Sequence, residues 1–283
     1  MKFIRTLFIV SLITIQAFAQ TSTGQVSSLV AADNYFAALA KEKGAIKAFK
    51  TISDDATIIL KSDSSVNSNK QQGLQLLNWQ PSLAKISKSG DWGFTSGLYS
   101  INQEDKSDTS YGEYASVWKM NKKGVWKLAI NIVNSHPRPK SEPLLNYTDP
   151  KEFKFFKQIS ERRLQQREDM VFTSDKLFST ALVGYKNLAY NVFLGDEARL
   201  LFPGHNPIIG KGNITDFLRY QELSITTEPL KANRSLGSDL AYTYGKASIT
   251  KGNIVSSYNY VRIWEVQEGY KWNVILEVFS PAS

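Results

Sequence analysis

The chain holds two histidines, His136 and His205, and no cysteine, so few side chains could do chemistry and their placement matters. Zinc and iron sites want three or four clustered ligands. Two histidines far apart in the chain supply no such cluster, and neither a metal nor another cofactor is expected. His205 stands in "FPGHNP", a turn at the end of a strand, where an imidazole could reach a cavity mouth and pass a proton. His136 lies where a proline-rich stretch begins and has no expected role. Two aspartates, Asp91 and Asp239, open the near-copies "DWGFT" and "DLAYT". They read as turn residues whose carboxylates accept backbone N–H bonds. No G-x-S-x-G nucleophile motif, phosphate-cradling glycine loop or dinucleotide fingerprint is present, which argues against a hydrolase, a kinase or a dehydrogenase.

The elements that must position these residues come in duplicate. "SGDWGFTSG" closes at Gly97 and "GSDLAYTYG" closes at Gly245. Leu29, Ala32, Phe36, Leu39 and Ala40 recur at helical spacing, as do Phe178, Ala181, Leu182 and Tyr185, with Leu188, Val192 and Phe193 continuing that face. "SDDATIIL" then answers "GDEARLLF" as a strand. Phe36 to Asp54 and Phe178 to Asp196 both span 18 residues, and Trp118 to Trp126 and Trp264 to Trp272 both span 8. Asp54 to Asp91 is 37 residues whereas Asp196 to Asp239 is 43. The extra residues fall around "GHNPIIGKG" and "TTEPLKANRS", where Gly and Pro mark turns. Each copy reads helix, helix, strand, an excursion ("QQGLQLL" or "ITDFLRY"), then three strands joined by hairpins. With no helical crossovers between those last strands, the sheet must be mostly antiparallel and the fold α+β.

The chain of 283 residues carries 34 Lys and Arg against 26 Asp and Glu. The first nineteen residues, with Lys2 and Arg5, the run "TLFIVSLITI" and small Ala17 and Ala19, read as a secretory signal peptide cleaved after Ala19. Removing Lys2 and Arg5 leaves 34 − 2 = 32 basic side chains against 26 acidic, a formal charge of +6. The lysines are scattered among acids, so nucleic acid is a poor partner. Without cysteine there is no lipobox, and no later segment is long and apolar enough to span a bilayer. A periplasmic or secreted product without a membrane partner is expected, stabilised by apolar burial rather than disulfides. "SHPRPKSEPLLNYTDP" reads as an extended linker and "KEFKFFKQISERRLQQRED" as a charged connecting helix. The expected division is a signal peptide over 1–19, domains over 20–135 and 169–283, and the linker with its helix over 136–168.

"DNYFAALAKEKGAIKAF", "SGDWGFTSGLYSI" and "YGEYASVWKMNKKGVWKLAINIVNS", answered by "GSDLAYTYGKASI" and "SYNYVRIWEVQEGYKWNVILEVF", resemble the nuclear transport factor 2-like superfamily, in its SnoaL-like and ketosteroid-isomerase-like branch. The resemblance implies two tandem cone-shaped domains, each a curved sheet wrapped over its N-terminal helices with a pocket at the open end. It implies sheet-face pairing, here within one chain as a pseudo-dimer or between two chains as a homodimer. Relatives carry a proton-shuttling carboxylate on the last strand, five residues after the tryptophan, often with a tyrosine or histidine donor. That position is Asn131 in the first copy, which cannot transfer a proton, and Glu277 in the second, with His205 or a tyrosine as donor. Strict alternation puts Glu277 on the face opposite Trp272. The expected lining set is Asn131, Tyr35, Trp79, Trp118, Tyr220, Tyr242, Tyr258 and Trp264. The expected function is binding of an unknown small apolar or amphipathic molecule, or association, without catalysis; the alternative is an isomerase-like or cyclase-like enzyme with its base in the second copy.

Overall fold

The computed structural model describes residues 25–54, 57–60, 77–102, 109–156 and 160–282. The expected signal peptide and "QQGLQL" lie outside them.

The N-terminal half opens with α1 (Val26–Lys43) and α2 (Ala45–Ile52). The break between them is Gly44, whose φ of 80° is open to glycine at little cost. Six strands follow: β1 (Ile58–Leu60), β2 (Leu77–Ile86), β3 (Trp92–Asn102), β4 (Thr109–Met120), β5 (Trp126–His136) and β6 (Asn146–Thr148), in the sheet order β1-β5-β4-β3-β2-β6. The C-terminal half opens with α3 (Glu161–Tyr185), a 3-10 turn and α4 (Ala189–Phe193). It continues with β7 (Leu194–Leu201), β8 (Ile208–Ile209), α5 (Lys211–Tyr220), β9 (Leu223–Arg234), β10 (Leu240–Lys251), β11 (Ile254–Val266) and β12 (Trp272–Pro281), in the order β8-β7-β12-β11-β10-β9. Four consecutive strands are antiparallel in each half, and the first strand joins the last in parallel. The architecture is α+β, two copies of one curved sheet over helices.

Several elements differ from the sequence reading. The stretch "TTEPLKANRS" is not a loop but most of β9, and its counterpart β2 is also a full strand. Pro229, which suggested a turn, and Pro81, its counterpart on β2, sit at register shifts facing Gly245 and Gly97. There the ladder is already broken and a missing N–H costs little. The glycines that close the two echoes therefore have one reason. A Cβ on Gly97 would lie 2.1 Å from the Gln80 carbonyl oxygen, and on Gly245 2.1 Å from that of Glu228. The linker contributes β6, which pairs with β2 in parallel. The connecting helix starts at Glu161 and runs unbroken into the first helix of the second half as α3. Leu188 and Val192 are exposed, while Ala189 and Tyr190 turn inward.

Each sheet buries both faces. The inner face of the first meets α1 and α2 around Leu29, Phe36, Trp118 and Leu128, and the inner face of the second meets α3 to α5 around Phe178, Tyr190, Trp264 and Phe279. The outer faces meet each other: Trp92, Phe94, Val117 and Ile130 share one buried cluster with Tyr242, Val261, Ile263 and Val278. Where this back-to-back contact reaches the hairpin turns it is reciprocal. Asp91 accepts the Leu236 N–H at 3.3 Å, and Asp239 accepts the Lys88 N–H at 2.8 Å. The two echoed aspartates do accept backbone N–H bonds, but from the opposite copy.

Candidate functional site

The last strand of each copy carries an extra residue. Val117 pairs with Ile130 and Trp118 with Leu128, leaving Ala129 over; Ile263 pairs with Leu276 and Trp264 with Val274, leaving Ile275 over. A bulge of this kind reverses the parity of every residue beyond it. Asn131 and Glu277 therefore point inward together with Trp126 and Trp272, and the expectation that Glu277 lies opposite Trp272 is corrected.

In the C-terminal half Glu277 is 1% exposed and its Oε1 accepts from Arg262 Nε at 2.7 Å. The other side of the Arg262 guanidinium donates to Asp175 on α3, and Tyr260 donates to the same carboxylate at 2.8 Å. The guanidinium lies 4.1 Å from the Phe178 ring centre and 4.6 Å from that of Tyr260. Burial works against the Arg262 charge, and the two carboxylates more than offset it, so its pKa is raised. Burial also raises the pKa of Glu277, against the opposing pull of Arg262. The Tyr190 hydroxyl faces both Glu277 and Arg262 and acts on the titration of Glu277, although Glu277 Oε2, Arg262 Nη2 and Tyr190 Oη lie outside ideal hydrogen-bond geometry.

The N-terminal half repeats this frame with the charge removed. Ser116 stands where Arg262 does and Asn131 where Glu277 does, and Asn131 Nδ2 donates to Ser116 Oγ at 2.9 Å. The helix aspartate persists as Asp33, fully buried, accepting from Tyr114 at 2.5 Å and from Thr95 at 3.2 Å. Thr95 in turn accepts from Trp118 Nε1 at 3.0 Å, as Thr243 accepts from Trp264 at 2.8 Å. With no cation beside it, burial lifts the Asp33 carboxyl to about 7 despite those hydrogen bonds. Aromatic rings crowd around it: Phe36 lies 4.5 Å and Tyr114 6.2 Å from the Trp79 ring centre, and buried Trp79 Nε1 is unpartnered.

Of the expected lining residues, Asn131, Trp79 and Trp118 face the N-terminal interior and Trp264 and Tyr258 the C-terminal one. Tyr35 and Tyr220 are 57% and 76% exposed, because each lies on the solvent side of an amphipathic helix. Tyr242 faces the other sheet, where it stacks on Trp92 at 6.2 Å; alternation along β10 gives the inner face to Ala241 and Thr243 instead. His205 packs against Phe217 at 4.8 Å and makes no hydrogen bond with Glu277, so the structure does not join the two. Asp33, Asp175 and Arg262 were not foreseen. The signal was present as "DNYF" and "DKLF", an acid at one fixed place on an otherwise apolar helix face in both copies. Among the described residues no group of three or more His, Cys, Asp or Glu could hold a metal, and no helix is long and apolar enough to cross a membrane.

No protein-family model matches the chain, and no curated protein matches it. It is similar to solved structures that each cover about two-fifths of its length. A ketosteroid isomerase-like protein from Erwinia carotovora atroseptica is 15% identical over 39% of this chain and 92% of its own, with a TM-score of 0.35. A nuclear transport factor 2-like protein from Cytophaga hutchinsonii is 16% identical over 44% and 100%, also at 0.35. A LEH-like epoxide hydrolase from M. tuberculosis is 14% identical over 41% and 80%, at 0.33.

Proposed function

We propose that the chain is a small-molecule-binding protein in which the N-terminal half holds an apolar or amphipathic ligand and the C-terminal half is its non-catalytic counterpart. The observation that carries this reading is the replacement of Arg262 and Glu277 by Ser116 and Asn131 in an otherwise repeated frame. Two long charged side chains fill the C-terminal interior. Two short neutral ones stand at the same places in the N-terminal interior, and large-to-small changes leave space unless the surroundings collapse onto it. The side chains around those two positions suit an apolar body with one hydrogen-bonding group: the Phe36, Trp79 and Tyr114 rings, and the Asp33 carboxyl.

The test restores the ion network where it is missing. Purified wild-type protein, denatured and extracted, is expected to release a small molecule detectable by mass spectrometry. Ser116→Arg combined with Asn131→Glu is expected to release none while keeping the wild-type circular dichroism. The same molecule recovered in equal amount from both proteins, or none from the wild type, contradicts the reading.

A second reading, proton transfer by Glu277, draws on the buried Glu277 carboxyl facing the Tyr190 hydroxyl, with Glu277 Oε2 outside the ion pair to Arg262. A crystal structure showing an organic group bonded to Oε2 supports it, and water alone there leaves Glu277 structural. The further proposal is that the product acts outside the cytoplasm after cleavage behind Ala19, which N-terminal sequencing of the secreted protein tests.

A further inference from the structure

A cleft of about 380 Å³ opens where the two halves meet, apart from the interior proposed above to hold a ligand. Leu83 and Phe94 of the first sheet and Ile209 and Ile275 of the second give it apolar walls, and Arg199 of β7 reaches into it. The ion pair between Lys85 and Glu265 ties the halves together at its edge.

Arg199 is out of keeping with its position. It pairs with Leu276 as Ile58 pairs with Ile130, so the two occupy equivalent places at the sheet edge. Ile58 packs against the core shared by the sheets. The guanidinium at the matching place is half-buried, and no hydrogen bond or ion pair joins it to another described residue. Burial lowers its pKa, and among the described residues the charge of Glu113 on β4 opposes that shift. Glu113 is 6% exposed and forms no ion pair with the guanidinium, and burial lifts its carboxyl to about 8 against the pull of Arg199. A cation drawn out of water with no hydrogen-bonded counter-ion is costly, and a planar guanidinium takes a carboxylate through two parallel bonds. Of the acids at the mouth, Asp196 is held by Lys211 at 2.5 Å and Glu265 by Lys85. Glu197 is exposed at the rim.

We propose that this cleft binds a monocarboxylate with an aliphatic body, its head on Arg199 and its chain against Phe94, Leu83, Ile209 and Ile275. The volume lies within the ~300–1,000 Å³ usual for small-ligand pockets. Glu197 at the rim disfavours a second negative charge.

Octanoate is the probe, titrated by calorimetry into the full chain. Wild type is expected to bind it, and Arg199→Ile, which copies the residue of the other half, is expected to bind it at least about tenfold more weakly. Neutral 1-octanol and dianionic suberate are expected to bind the wild type more weakly than octanoate does. Ile209 is 44% exposed, so Ile209→Asp is a second variant that keeps the fold and is expected to weaken octanoate by a similar factor through repulsion. Octanoate binding unchanged in either folded variant, octanol binding as tightly as octanoate, or no binding to wild type at millimolar concentration overturns the proposal. Neither variant touches the N-terminal interior, so the molecule extracted from that half is expected to be the same in both.

Discussion

Asp33 and Asp175 hold the same place on equivalent helices, each under a tyrosine hydroxyl, and differ in whether a cation lies beside them. That difference sets their energetics. Removing Arg262 strands two buried carboxylates, so Arg262→Ser is expected to cost about 3–5 kcal/mol in urea unfolding. Adding Glu277→Asn, which copies the N-terminal pair, is expected to recover part of that loss; a double variant less stable than the single one contradicts the copying argument. Asp33 is governed by pH instead. Its unfolded value of 3.8 lies below its folded value of about 7, so the native state holds the proton more tightly. The resulting stabilisation is complete below pH 4 and is lost as pH rises through 7, a swing on the order of 4 kcal/mol. Asp33→Asn keeps an acceptor for Tyr114, removes this slope, and is expected to be the more stable protein at pH 8. Denaturation curves for both proteins from pH 4 to 8 read the effect directly.

Among the elements, the two bulges do most to place the site, and they are also what the sequence hides best. Alternation along "WNVILEVF" gives Glu277 the wrong face because one residue, Ile275, drops out of register. Nothing in the residue types around Ile275 or Ala129 announces this, since a bulge depends on the partner strand as much as on its own sequence. The proline-marked strand β9 misleads in the opposite direction: Pro229 looks like a turn and is a strand residue at a register shift, as is Pro81 on β2. By contrast, the paired tryptophans, the buried face of α1 and the order of the last three strands were legible, because duplication shows each pattern twice. Gly97 and Gly245 are the positions where element packing is tightest. Gly245→Ala is expected to lower stability by about 1–3 kcal/mol through the clash with the Glu228 carbonyl, whereas Gly124→Ala tests φ strain alone, since nothing lies within 4 Å of its Cβ. Equal losses in the two variants would remove the close-packing explanation.

At the scale of the whole molecule, the outer sheet faces that a single copy would leave open are buried against each other, and the echoed aspartates lock the turns reciprocally. Sheet faces used within the chain are not free for a second chain, and light scattering is expected to show a monomer. The shared core also couples the halves. Trp92→Ala empties a fully buried site that stacks on Tyr242 of the other sheet, at an expected cost of about 3–5 kcal/mol. Hydrogen exchange should then quicken in β10 as well as in β3; loss of protection confined to the N-terminal half contradicts a common core. The proposed division of labour between the halves rests on one electrostatic contrast, a buried aspartate with a cation in one copy and without in the other. Its most direct measurement is the side-chain carboxyl shift of Asp33, followed by carbon NMR across the pH range and assigned by its absence in Asp33→Asn. A midpoint near the value of about 7 set by burial is expected, and a midpoint at the ordinary aspartate value near 3.8 would contradict the contrast between the halves.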